Sequence, residues 1–79
     1  MHIEPDVLEV YFQETQRVIG LFLERQINLD ECLSALDSAL ASVDPMPTGE
    51  DLVALHVLVN QNRHLVMGTA RGRGDIIPP

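Results

Sequence analysis

Lysine is absent from this 79-residue sequence, and cysteine occurs once, as Cys32. A lone cysteine excludes an intrachain disulfide and fits a reducing compartment. The five basic side chains are all arginine, a bias that reads as genomic base composition rather than chemistry. No stretch approaches the roughly 18 uninterrupted apolar residues of a membrane span. The start, Met1-His2-Ile3-Glu4-Pro5-Asp6, has neither the basic beginning nor the apolar run of a signal peptide. These absences predict a cytoplasmic protein without a membrane partner. Also missing are a catalytic triad, a phosphate-binding glycine loop and the HExxH or ExxH spacings that place metal ligands one turn apart. The expectation is therefore not an enzyme, with no cofactor and no metal.

The formal net charge is −7. Residues 1–51 carry eleven acids against Arg17 and Arg25, a net −9, whereas residues 52–79 carry Arg63, Arg71 and Arg73 against Asp75, a net +2. An acidic chain repels nucleic acid and anionic membrane alike. Two arginines, Arg71 and Arg73, separated by Gly72 and without an aromatic residue beside them, fall short of a nucleic-acid site. They suit docking of the C-terminal segment on an acidic neighbour, in its own chain or another. Arg73-Gly74-Asp75 matches a cell-adhesion tripeptide, but three residues recur by chance.

What is present is helix-forming pattern. Leu29, Leu33, Leu36, Leu40 and Val43 alternate four and three apart, opened by the capping pair Asn28 and Glu31 and closed before Pro45. The pattern predicts a helix over 29–43 with one buried face of about 120°. A first helix is predicted over 5–26, with Pro5 at its first position, Asp6 and Glu9 favourable at its positive end, and a link of a residue or two around Asn28. Its apolar residues span about 220°, more than one neighbour covers. A third helix is predicted over 49–67, capped by Thr48 with Asp51 three residues on. Residues 68–79, rich in glycine and proline, read as an irregular tail in which Ile76 and Ile77 need an apolar surface to dock on.

The predicted fold is all-α, a three-helix bundle in one domain over residues 1–67. Helices 1 and 2 form an antiparallel hairpin and helix 3 packs across them. A core this small supplies only about 3–5 kcal/mol unless something adds to it. With no intrachain disulfide possible and only weak support for a metal, oligomerisation is the favoured support, so the bundle is expected to dimerise into a larger one. Tyr11, Phe12, Val18, Ile19 and Phe22 on helix 1, with Val53 and Val57 on helix 3, are the candidate interface residues.

Asn62 falls in the middle of helix 3's apolar face, where a buried amide must find partners and often fixes helix register. His56, Asn60, Arg63 and His64 share another side of helix 3. His56 and His64, eight residues apart, lie about 12 Å from each other along the axis, too far to share one ion. A metal would need a further ligand such as His2 or Glu4. Cys32 lies in the helix 2 stripe and reads as a small buried hydrophobe. Ser38, in Asp37-Ser38, sits in mid-helix, unlike the helix-opening serine of acyl carrier proteins, and the missing lysines separate the chain from chorismate mutases. The leading functional expectation is a non-enzymatic interaction or regulatory module acting as a homodimer, with another protein as a further partner. A small-molecule or metal-binding dimer using the His56, Asn60, Arg63 and His64 face is the alternative.

Overall fold

A computed structural model describes residues 6–75. The order is α1 (Val7–Leu23), α2 (Leu29–Ala41) and α3 (Glu50–Arg73), with no strand among the described residues. Helix α1 packs against both α2 and α3, giving the expected three-helix bundle built on an antiparallel hairpin.

Each terminus has a local cause. Helix α1 begins at Val7 rather than near Pro5, and Asp6 caps it: its carboxylate accepts from the Leu8 N–H at 2.9 Å. Pro5, His2 and Glu4 lie outside the described residues. The helix ends at Leu23, earlier than predicted, because Arg25 takes a left-handed conformation with φ 63°. The Arg25 N–H then reaches the Phe22 carbonyl at 3.0 Å and the Gln26 N–H reaches that of Leu21 at 2.8 Å. This paired closure is normally built on glycine. The link to α2 is consequently Glu24–Asn28, longer than the residue or two predicted.

Helix α2 opens on the predicted capping pair. The Glu31 N–H donates to Asn28 Oδ1 at 2.8 Å, and the Asn28 N–H donates to Glu31 Oε1 at 3.0 Å. It stops at Ala41 rather than Val43, where a tighter bond from the Val43 N–H to the Leu40 carbonyl closes the last turn. Helix α3 departs from expectation at both ends. Gly49, at φ 62° and ψ −135°, occupies the capping position in place of Thr48 and provides no side-chain bond. At the other end the helix passes through Gly68 and Gly72 to Arg73, so residues 68–73 are not an irregular tail. Gly74, at φ 76°, stops it, with the Asp75 N–H bonded to the Ala70 carbonyl at 2.9 Å.

The core joins Val18, Ile19 and Phe22 of α1, Leu29, Cys32 and Leu36 of α2, and Val66 and Ala70 of α3. Tyr11, Thr15 and Leu55 are buried nearer the start of α1. Thr15 is fully buried without cost to its hydroxyl, which donates to the Phe12 carbonyl at 3.0 Å. The buried residues of α1 span an arc of only about 100°, against the 220° or so of its apolar residues.

Glycine substitutions should therefore have opposite signs along α3. A Cβ at Gly68 or Gly72 meets nothing, and neither residue has positive φ. Gly72→Ala is expected to stabilise the fold by about 0.5–1 kcal/mol, because alanine favours the helix. Gly74→Ala is expected to cost roughly 1 kcal/mol for its left-handed backbone. Denaturant unfolding of the two variants checks the pair.

Candidate interaction surface

Arg73 joins the end of α3 to the end of α1. Its Nη1 donates to the Phe22 carbonyl at 3.0 Å and its Nη2 to the Leu23 carbonyl at 2.7 Å, while the guanidinium lies 4.7 Å from the Phe22 ring centroid. A helix leaves its last carbonyls unpaired and partly negative, and a planar cation above a ring satisfies both the charge and the π face. Arg73 thus lies against its own chain, and Arg73-Gly74-Asp75 is a helix terminus. Arg71 is exposed, and Ile76 and Ile77 lie outside the described residues.

Four of the seven candidate interface residues, Tyr11, Val18, Ile19 and Phe22, are covered by the chain's own helices. Covalent neighbours account for that part of the wide apolar arc. Phe12, Val53 and Val57 are exposed, as are Val10, Leu23, Met46 and Leu65. Their places follow from helical register. Val7, Val10, Ala39 and Val43 line a groove of about 640 Å³ between α1 and α2, rimmed by Glu14 and Asp44, so the Val10 flank of α1 faces α2. Phe12 and Leu23 leave α1 on the opposite flank, beside α3. Leu65 leaves α3 on the flank opposite Val59 and Arg63, which border α2. Phe12, Leu23 and Leu65 therefore edge one seam between α1 and α3, whereas Val53 and Val57 lie on the back of α3.

His56, Asn60, Arg63 and His64 are all exposed. Among the described residues no group of three or more His, Cys, Asp or Glu side chains is placed to hold a metal ion. Arg63 borders a cavity that Asn62 also lines. Asn62 is buried between the helices of its own chain, so any register it fixes is that of α3 on α1 and α2. The cluster of Tyr11, Asp37 and Asn62 was not visible as such in the sequence, since each residue lies on a different helix. Burial raises the Tyr11 phenol above its ordinary value; the Asn62 amide opposes that shift and the Asp37 charge adds to it. Burial likewise pushes the Cys32 thiol up, which leaves it a packed hydrophobe rather than a nucleophile. Glu14 bonds Arg17 on the surface; that contact lowers the carboxyl and raises the guanidinium.

No protein-family model, curated protein or solved structure matches the chain.

Two measurements test these contacts. Arg73→Ala should cost about 1.5–3 kcal/mol in unfolding free energy, the range for hydrogen bonds to a charged group. Arg73→Lys should recover only part of it, because an ammonium neither forks across two carbonyls nor stacks flat. The pH dependence follows from Cys32 and Tyr11, both raised on folding above ordinary values of 9.0 and 10.0. The unfolded chain loses those protons first as pH rises, so the stability they contribute is complete below about 9 and declines above it. Thermal unfolding from pH 7 to 11 should show that decline. Cys32→Ala should remove its earlier part at some cost in packing, and Tyr11→Phe its later part.

Proposed function

We propose that the protein is a non-enzymatic interaction module that works as a homodimer, paired through the α1–α3 seam. The observation that carries this reading is the exposure of large apolar side chains on that seam: Phe12 at 46%, Leu23 at 46% and Leu65 at 48%. Isolated exposed apolar residues are ordinary, but a row of them on one face marks an interaction site. Shape supports the same reading. The Cα radius of gyration is 13.7 Å, with extents of 47 × 25 × 16 Å, against about 11–12 Å for a compact domain of this size. A second copy laid on the seam would thicken the narrow direction and enlarge a core that is small for independent stability. Aromatic and leucine side chains flanked by polar residues suit such a self-complementary face. His56, Asn60, Arg63 and His64 are all exposed and give a ligand little enclosure.

Sedimentation of the full chain at micromolar concentration is expected to give a dimer. Phe12→Ser combined with Leu65→Ser should weaken pairing at least tenfold with helicity retained, whereas Val53→Ser on the back of α3 should leave it unchanged. A well-folded wild-type monomer at that concentration would overturn the reading.

A further inference from the structure

The groove between α1 and α2 has two walls of matching register. Helix α1 brings Val7, Val10, Tyr11 and Glu14 to it, stepping i, i+3, i+4 and i+7. Helix α2 brings Ala35, Ser38, Ala39 and Ser42, with the same steps. Residues so spaced form one stripe along a helix, so both walls run with the groove for about 10 Å, two helical turns. The α2 wall consists of alanine and serine, and side chains that small let another helix approach closely. Val10, on the opposite wall, is 49% exposed. Helix α3 does not fill the space, because it meets α2 on the other flank, at Leu33, Asp37 and Leu40.

Charge selects among occupants. Residues 6–44 carry eight acids against Arg17 and Arg25. At the rim Glu14 meets Arg17, whereas Asp44, at the other end, has no such base, and no basic side chain lines the groove among the described residues. A field of that sign attracts a cationic partner and repels an anionic one. A second copy of this chain has the wrong charge for it. Its α1 and α2 are acidic, and Val53 and Val57 on the back of its α3 follow Glu50 and Asp51.

We propose that the α1–α2 groove docks a basic amphipathic helix of a different protein, with apolar side chains at i, i+3, i+4 and i+7 beside arginine or lysine. The apolar anchors pack between Val7 and Val10 on one side and Ala35 and Ala39 on the other, and a cation reaches Asp44. The docked helix completes a four-helix arrangement. It lies on the flank of α1 away from Phe12 and Leu23, so docking does not depend on pairing through the α1–α3 seam.

The probe is a fluorescent synthetic peptide helix with leucine at those four positions and arginine beside them. A control peptide has glutamate in place of each arginine. Anisotropy with the full chain should show the basic peptide binding at least about tenfold more tightly than the acidic one, and more weakly as salt rises. Amide shifts of Val10, Ala35 and Ala39 should move on binding, and those of Val53 and Val57 should not. Ser38→Phe fills the groove without changing the charge and should weaken binding at least about tenfold. Should that variant lose helicity, Asp44→Asn, in the loop after α2, should weaken binding severalfold. Phe12→Ser combined with Leu65→Ser should bind the peptide as the wild type does, which separates failure of the groove from failure of the seam. Absence of binding, equal binding of the two peptides, or wild-type affinity in a folded Ser38→Phe variant would overturn the proposal.

Discussion

The three helices converge on Phe22. Its ring lies in the core among residues of α2 and α3, and its other face receives the Arg73 guanidinium. Its carbonyl accepts twice, from the Arg25 N–H that closes α1 and from Arg73 Nη1. A carbonyl has two lone pairs, and both are used. One residue therefore fixes where α1 stops, how the chain turns towards α2, and how far α3 must extend. Removing the ring would leave a cavity and a cation without its partner; removing the cation would leave carbonyls short of donors.

The rest of the molecule divides around that junction. Towards it, all three helices contribute fully buried residues, among them Phe22, Cys32 and Val66. Towards the start of α1, burial is carried by Tyr11, Thr15, Leu55 and Asn62, and the gaps there are a groove between α1 and α2 and a cavity between α2 and α3. The better-packed end supplies most of the apolar burial, and the other end contains the polar side chains. Exposed apolar residues follow the long α1–α3 edge between the two. Such a domain has little core per residue, and covering that edge is the most direct way to enlarge it.

Local signals were legible in the sequence and tertiary ones were not. The Asn28 and Glu31 pair and the narrow apolar face of α2 were readable because capping and periodicity act within a few residues. Burial of Asn62 and Cys32 followed from their helical positions. The extension of α3 was hidden, because Gly68 and Gly72 look like breakers and what offsets them is contact with carbonyls about fifty residues away. The early end of α1 was hidden for a related reason: Arg25 occupies a place where glycine is usual. Periodicity located the wide apolar arc of α1 but did not divide it, since Tyr11, Val18, Ile19 and Phe22 face neighbours in the same chain while Phe12 and Leu23 do not.

The tie between Arg73 and the end of α1 also bears on the order of folding. The α1–α2 hairpin closes over a short link, whereas the last turn of α3 must return across half of the chain before its arginine meets Phe22 and Leu23. That turn contains Gly72 and has weak helical preference of its own, so it gains order mainly on arrival. Release of the Arg73 bonds would free both helix ends together, which couples solvent access at the end of the first helix to that at the end of the third.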